Sequence, residues 1–226
     1  MVTGMYYKTD LHCHTSEISE CSSESAVDTA ERYVKLGYTS VVITNHFTHY
    51  GYVHSGVSYE EYVDRHFEVA ENTAKLFKGR LNVIPGLELN VKHTGNDYLV
   101  FGATREVLYS IPNIFDMPIN EIHDHLSANG CLLIQAHPMR FEVTLVRPHW
   151  VDGYEVLNTH VNHPNHNDIA MLIAKSIGGE GKILTAGSDH HDACQTPSSG
   201  IMTKEPIVSA SQLVDVLKEG SYHIFG

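Results

Sequence analysis

Short runs of apolar residues alternate along the chain with segments whose apolar residues recur every three or four positions. The runs 9–14, 40–46, 81–91, 97–103, 131–137, 153–160 and 182–191 predict strands, and several are continuously apolar, as strands covered on both faces are. Between them lie helix patterns with recognisable starts. Ser25 and Asp28 open a helix over 26–36 that Gly37 closes, and Ser209 and Gln212 open one over 210–219 that Gly220 closes. In each case a serine hydroxyl caps an orphan N–H while an acid or amide three residues on caps in return. Over 59–77, Tyr62, Val63, Phe67, Ala70, Ala74 and Phe77 fall at helical spacing, and the patterns at 118–128 and 164–177 each begin at a proline, which suits a first helical turn. The Tyr/Gly-rich stretch between Phe47 and Ser58 predicts a loop over the strand ends.

Strand and helix patterns alternate without repeats or linkers, which predicts one α/β domain over residues 1–226 built from stacked βα units. Where the polar residues fall selects the architecture. Five runs end in a histidine or an acid: Asp-Leu-His-Cys-His, Ile-Thr-Asn-His, Gly-Leu-Glu, Gln-Ala-His-Pro and Ala-Gly-Ser-Asp-His-His. A parallel barrel assembles its site from the C-terminal ends of many strands, whereas an open sheet gathers ligands at one switch point. A TIM-like barrel is therefore the expectation.

The chain has 226 residues and a formal charge of −12, with 17 histidines. The charge argues against adhesion to long nucleic acid, which needs clustered lysine and arginine, but leaves room for a small phosphorylated substrate held by local cations. No window has the length of apolar sequence that a membrane span needs, the first residues lack a signal-peptide layout, and the cytoplasm is the expected location. Four cysteines without a CxxC pair predict reduced thiols rather than a zinc ribbon or a disulfide scaffold.

The histidine excess points to metal. His12 and His14, two apart on a strand, face the same way while Cys13 faces the other. His46, Glu88, His137, Asp189 and His191 each end an apolar run. A mix of imidazole and carboxylate without thiolate suits zinc, manganese or iron(II). Asp10 to Thr15, Ile43 to His46, Pro85 to Glu88, Ala136 to Pro138 and Gly187 to His191 resemble, in order and spacing, the motifs of the PHP (polymerase and histidinol phosphatase) family.

The resemblance implies a distorted (β/α)7 barrel that binds two or three divalent metal ions and hydrolyses phosphoesters. It implies that His12, His14, Glu88 and Asp189 hold one metal, that Glu88 bridges to a second bound by His137, and that His46 and His191 share a third. It also implies a ligand shortly after the first His-x-His, with Glu17 favoured over Glu20. Asn45 stands where the family has an aspartate before His46, and the strand at 97–101 lacks a histidine that often completes the second metal; Asp97, His93 or water is expected to stand in.

Two metals sharing one water would lower its pKa and present a bridging hydroxide to phosphorus. His191, His190 and His160 are candidates to move or orient the leaving-group proton, and Arg140, Lys92 and Arg147 to hold phosphate, Arg140 by a bidentate fork. Asp10, Asn45, Asp97, Glu155 and Asn158 are expected to support the ligands by hydrogen bonds. The expected activity is hydrolysis of a small phosphomonoester, histidinol-phosphate-like or nucleotide-like, or of a short oligonucleotide end. The alternatives are a C–N or C–O hydrolase of the same barrel type and a non-catalytic metal-binding scaffold.

Overall fold

The computed structural model describes residues 6–92, 94–177 and 181–226. Strand β1 (Tyr7–Asp10) leads through a loop to α1 (Ala26–Lys35), whose Ser25 cap accepts from the Asp28 N–H. The expected strand at 40–46 divides into β2 (Ser40–Ile43) and β3 (His46–Thr48). The predicted loop that follows is partly helical: in α2 (His49–Ser55) the Thr48 hydroxyl accepts from Gly51 N, and Gly56 closes the helix in the left-handed conformation at φ 67°. Tyr52 from α2 packs on an aromatic cluster with Phe47, Tyr59, Tyr62 and Phe115, which gives this short helix a core to rest on.

Helix α3 (Tyr59–Leu76) precedes β4 (Asn82–Pro85) and β5 (Leu87–Asn90), which Gly86 separates; a Cβ there would meet the Val42 side chain at 2.7 Å. Then come β6 (Asp97–Phe101), α4 (Arg105–Tyr109), α5 (Ile119–Ala128), β7 (Leu132–Gln135) and β8 (Gly153–Asn158). Helix α6 (Asn167–Ile177) starts three residues later than its proline suggests. The cause is His166, whose φ of 48° cannot belong to a right-handed helix. The chain ends with β9 (Ile183–Gly187), β10 (Gly200–Thr203), α7 (Ala210–Glu219) and β11 (His223–Phe225). The antiparallel pair β10 and β11, which α7 connects, is not anticipated by the apolar pattern.

The α/β class is observed, but the all-parallel barrel is not. The strands pair in two mixed sheets, ordered β11-β10-β1-β2-β4 and β3-β5-β6-β7-β8-β9. Strand β6 runs antiparallel to both β5 and β7. The connection from β5 to β6 is too short for the crossover a parallel pair requires, so the chain turns back on itself. The sheets meet on one side where the chain runs from β2 into β3 and from β4 into β5, and on the other through backbone bonds from Asp189 N to His12 O and from His14 N to His190 O, both 2.9 Å. One buried cluster draws Leu11, Val42, Ile84, Leu99, Ile134 and Ile183 from strands of both sheets. Among the described residues no helix is long and apolar enough to cross a membrane.

Candidate metal centre

Four strand ends converge above this core. His12 and His14 follow β1 at alternate positions, so both rings enter the same space. Their Nε2 atoms lie 3.0 Å apart. His12 Nε2 is 3.2 Å from Glu88 Oε1 and 3.3 Å from Asp189 Oδ1, and His14 Nε2 is 3.2 Å from Glu88 Oε2 and 3.3 Å from Asp189 Oδ1. A cation bound tetrahedrally at about 2.0–2.1 Å sets its ligand atoms about 3.3–3.4 Å apart, close to the spacing seen here. The hydrogen bonds behind the rings agree. His12 Nδ1 donates to Glu155 Oε1 (2.9 Å), and His14 Nδ1 donates to Ser19 Oγ (3.1 Å), whose own proton goes to Asn45 Oδ1 (2.9 Å). With each Nδ1 protonated, both Nε2 lone pairs face the centre.

Two further sets of ligand atoms, from Glu88, Asp97 and His137 and from His14, His46 and His191, each lie within 4.8 Å of one another. His137 Nε2 is 3.0 Å from Glu88 Oε1, and His46 Nδ1 is 2.9 Å from Glu88 Oε2. Glu88 therefore stands between all three sets. Its buried Oε2 has no hydrogen bond among the described residues, although imidazole nitrogens are near. Such an unsatisfied anionic atom fits a metal-ligating role. The donor set accordingly suits divalent metal.

Surrounding groups fix the ligands. Glu155 Oε2 accepts from His137 N and Asn158 Nδ2, both at 2.9 Å, and Asn158 Nδ2 also reaches Asp189 Oδ2 at 3.1 Å. Arg140 donates to Asp189 Oδ2 at 2.7 Å and to Asn165 at 2.9 Å, leaving Asp189 Oδ1 for the centre. Asp10 Oδ1 accepts from His12 N (3.1 Å) and Ser188 N (3.0 Å), and Oδ2 from the Tyr33 hydroxyl (2.9 Å). His137 and Asp189 hold φ of 29° and 51°, a backbone cost that often marks a working site.

The electrostatics follow from burial and charge. Burial pushes the Asp10 carboxyl up to about 6 against its hydrogen bonds. Burial opposes ionisation of Glu88 and Asp189, yet facing imidazoles hold both well below the usual carboxylate range. Burial and the neighbouring Glu88 charge raise Asp97. Burial, reinforced by His14, lowers His191 to about 3, so its ring is neutral, the form that binds a cation rather than the form that donates a proton.

Of the expected residues, His12, His14, His46, Glu88, His137, Asp189 and His191 come together. Asp97, expected either as a support or as the stand-in ligand beside His137, lies among ligand-capable atoms, because β6 runs antiparallel and its N-terminal end is the one at the rim. Asn45 does not bond the His46 ring; it holds Thr15 N (2.7 Å) and Ser19, and Ser19 Oγ in turn accepts from His46 N (3.0 Å). Glu17 is not with the ligands: both its oxygens accept from Ala26 N, at 2.9 and 3.1 Å, capping α1. His190 points away, because it alternates with Asp189 and His191, and its Nε2 donates to Glu24 Oε2 at 2.6 Å. Lys92, paired with Asp116 at 2.9 Å, and Arg147, stacked 4.9 Å from Trp150, line a separate cavity of about 830 Å³. His93 lies outside the described residues.

The ligands open into a cavity of about 370 Å³ that Arg140, His160 and His163 also line. A neighbouring cavity of about 610 Å³ shares Cys21, His46 and Asp97 with it and carries Glu17, Glu20 and Tyr50. Ser19 and Cys21 were missed as parts of this site. Only the proximity of Ser19 and Cys21 to the His-x-His pair could have signalled them.

No protein-family model matches the sequence, and no curated protein sequence resembles it significantly. Solved structures do share its fold. A two-domain protein of Bacteroides vulgatus ATCC 8482 containing a predicted PHP-like metal-dependent phosphoesterase superposes with a TM-score of 0.65 at 14% identity, over 98% of this chain and 65% of that one. A candidate metal-dependent phosphoesterase of Bifidobacterium adolescentis ATCC 15703 gives 0.57 at 14% identity, over 95% and 96%. Endonuclease Q, in complex with a 27-mer duplex carrying an abasic lesion, gives 0.59 at 12% identity, over 95% and 57%. This chain thus spans about two thirds of the first protein's length. At these identities the likeness is one of fold, shared with PHP-like proteins.

Proposed function

We propose that this protein is a metal-dependent phosphoesterase that hydrolyses a small phosphomonoester. The observation that carries the reading is the convergence of His12, His14, Glu88 and Asp189, with ligand atoms at the spacing of a coordinated cation, beside the Arg140 guanidinium. We read the two sheets as arcs of one distorted barrel spanning residues 1–226, joined by the continuing chain at one break and by backbone bonds at the other. His12, His14, Glu88 and Asp189 would hold one ion, Glu88, His137 and Asp97 a second, and His46 with His191 a third. Divalent ions held there supply Lewis-acid charge to phosphoryl oxygens and acidify water at neutral pH.

The chain's own groups do the rest. Arg140, anchored on Asp189 and Asn165, brings fixed positive charge to the cavity and orients the phosphoryl group. His160 Nδ1 accepts from Asn162 N at 3.2 Å, so its proton sits on Nε2. We assign His160, at the cavity wall 5.1 Å from the His191 ring, to the leaving oxygen. His191, with Nδ1 donating to Asp189 O at 2.8 Å, is assigned to metal rather than to proton transfer. A cavity of about 370 Å³ suits a monoester better than a duplex.

The test is a panel of phosphomonoesters, short oligonucleotides, amides and esters given to protein reconstituted with zinc or manganese. Phosphate release from monoesters supports the reading. Turnover confined to amides or esters overturns it in favour of C–N or C–O hydrolysis, and turnover confined to oligonucleotides overturns the choice of substrate.

A further inference from the structure

The third ligand set is the one most open to solvent, and the loop between Thr15 and α1 closes over it. Glu88 Oε2, buried and unsatisfied among the described residues, lies 2.9 Å from His46 Nδ1 on its inner side. Neither carboxylate expected from the loop joins the set, since Glu17 caps α1 and Glu20 lines the neighbouring cavity. What the loop delivers is Cys21. Its flanks are tied to the histidines. Ser19 Oγ accepts from His14 Nδ1 (3.1 Å) and from His46 N (3.0 Å), and Ser22 Oγ (2.7 Å) and Ser23 N (3.0 Å) both donate to His191 O. Between these anchors Cys21 is exposed and lines the metal cavity together with His46 and His191.

We propose that Cys21 supplies a thiolate ligand to the cation held by His46 and His191, making this position selective for thiophilic divalent ions such as zinc, iron(II) and cobalt(II) over magnesium and manganese. The proposal rests on the metal-centre reading above. On ligation the S–H proton leaves to solvent and the sulfur lone pair bonds the cation, with nothing oxidised. The other two sets contain only nitrogen and oxygen donors, so a sulfur–metal signature reports on this position alone.

The test is cobalt(II) titration of the full-length protein, of Cys21→Ser, and of Cys194→Ser, which removes the other exposed thiol. Visible d–d bands report that cobalt is bound, and a near-ultraviolet charge-transfer band reports a thiolate on it. The expected result is both bands in the parent and in Cys194→Ser, with the charge-transfer band lost and the d–d bands kept in Cys21→Ser. Bound cobalt without that band, or with a band that survives in Cys21→Ser, overturns the thiolate assignment and leaves the metal centre standing. Absence of d–d bands in the parent overturns both.

Discussion

Glu155 touches no ligand atom of the centre, yet it holds His12 through Nδ1 and His137 through its backbone N–H. Removing its charge leaves His12 Nδ1 free to lose or share its proton, so the ring no longer presents a fixed Nε2 lone pair. Glu155→Gln should weaken metal binding about 10- to 100-fold in competition with a chromophoric chelator. Unchanged affinity would mean that His12 is not a ligand. Asp10 tests a different property of the same strand end. Its folded pKa of about 6 lies above the ordinary 3.8, so the folded state binds the extra proton between these values. The associated stability is fully present below pH 3.8 and is lost as pH rises through 6. Ionisation at neutral pH then costs on the order of 3 kcal/mol. Asp10→Asn keeps the Oδ1 acceptor for His12 N and Ser188 N and abolishes that titration. In urea unfolding of metal-free protein, the variant should gain on the parent between pH 4 and pH 7; a constant difference would contradict the buried, titrating Asp10.

Helix α1 shows how one loop residue can serve an element instead of a site. Glu17, eight residues before α1's Ser25 cap, folds back through the turn at Ser19 and Ser22 to take the first helical N–H with both oxygens. Glu17→Ala should cost about 1 kcal/mol in denaturant unfolding and leave metal content unchanged. A drop in bound metal instead would return Glu17 to the ligands. At the end of β9, a Cβ on Gly187 would lie 2.3 Å from the His12 Cβ, so Gly187→Ala should displace His12 and lower metal content more than it lowers secondary structure by circular dichroism.

The elements also explain what was readable in advance. The convergence of His12, His14, His46, Glu88, His137, Asp189 and His191 was legible because each ends an apolar run and a strand's alternation sets which side it faces. His190 was misread for the same reason, since its neighbours claim the cavity side. Asp97 was legible only as one of several stand-ins, because a rule about C-terminal strand ends assumes parallel strands, and β6 reverses. Helix α2 was hidden because its Tyr/Gly composition suits a loop, and only the aromatic cluster beneath it, distant in sequence, selects the helix. Lys92 and Arg147 failed as phosphate contacts because a cation's nearness to a motif in sequence carries no information about which side of a sheet its loop joins.

At the scale of the molecule, the −12 charge and the small cavity both favour a compact substrate. Local cations rather than a basic surface must attract it, so kcat/KM for a monoester should change less than about threefold between low and physiological salt, where surface charges are screened. A steep fall with salt would point to an extended polyanion. The central claim is tested most directly by measuring phosphate release from a monoester panel by chelator-treated protein, zinc- or manganese-reconstituted protein and reconstituted Asp189→Ala. The account predicts release only from the reconstituted parent, with at least about a hundredfold loss in the variant. Reconstituted protein that retains two or three ions per chain and releases no phosphate from any phosphoester would contradict it.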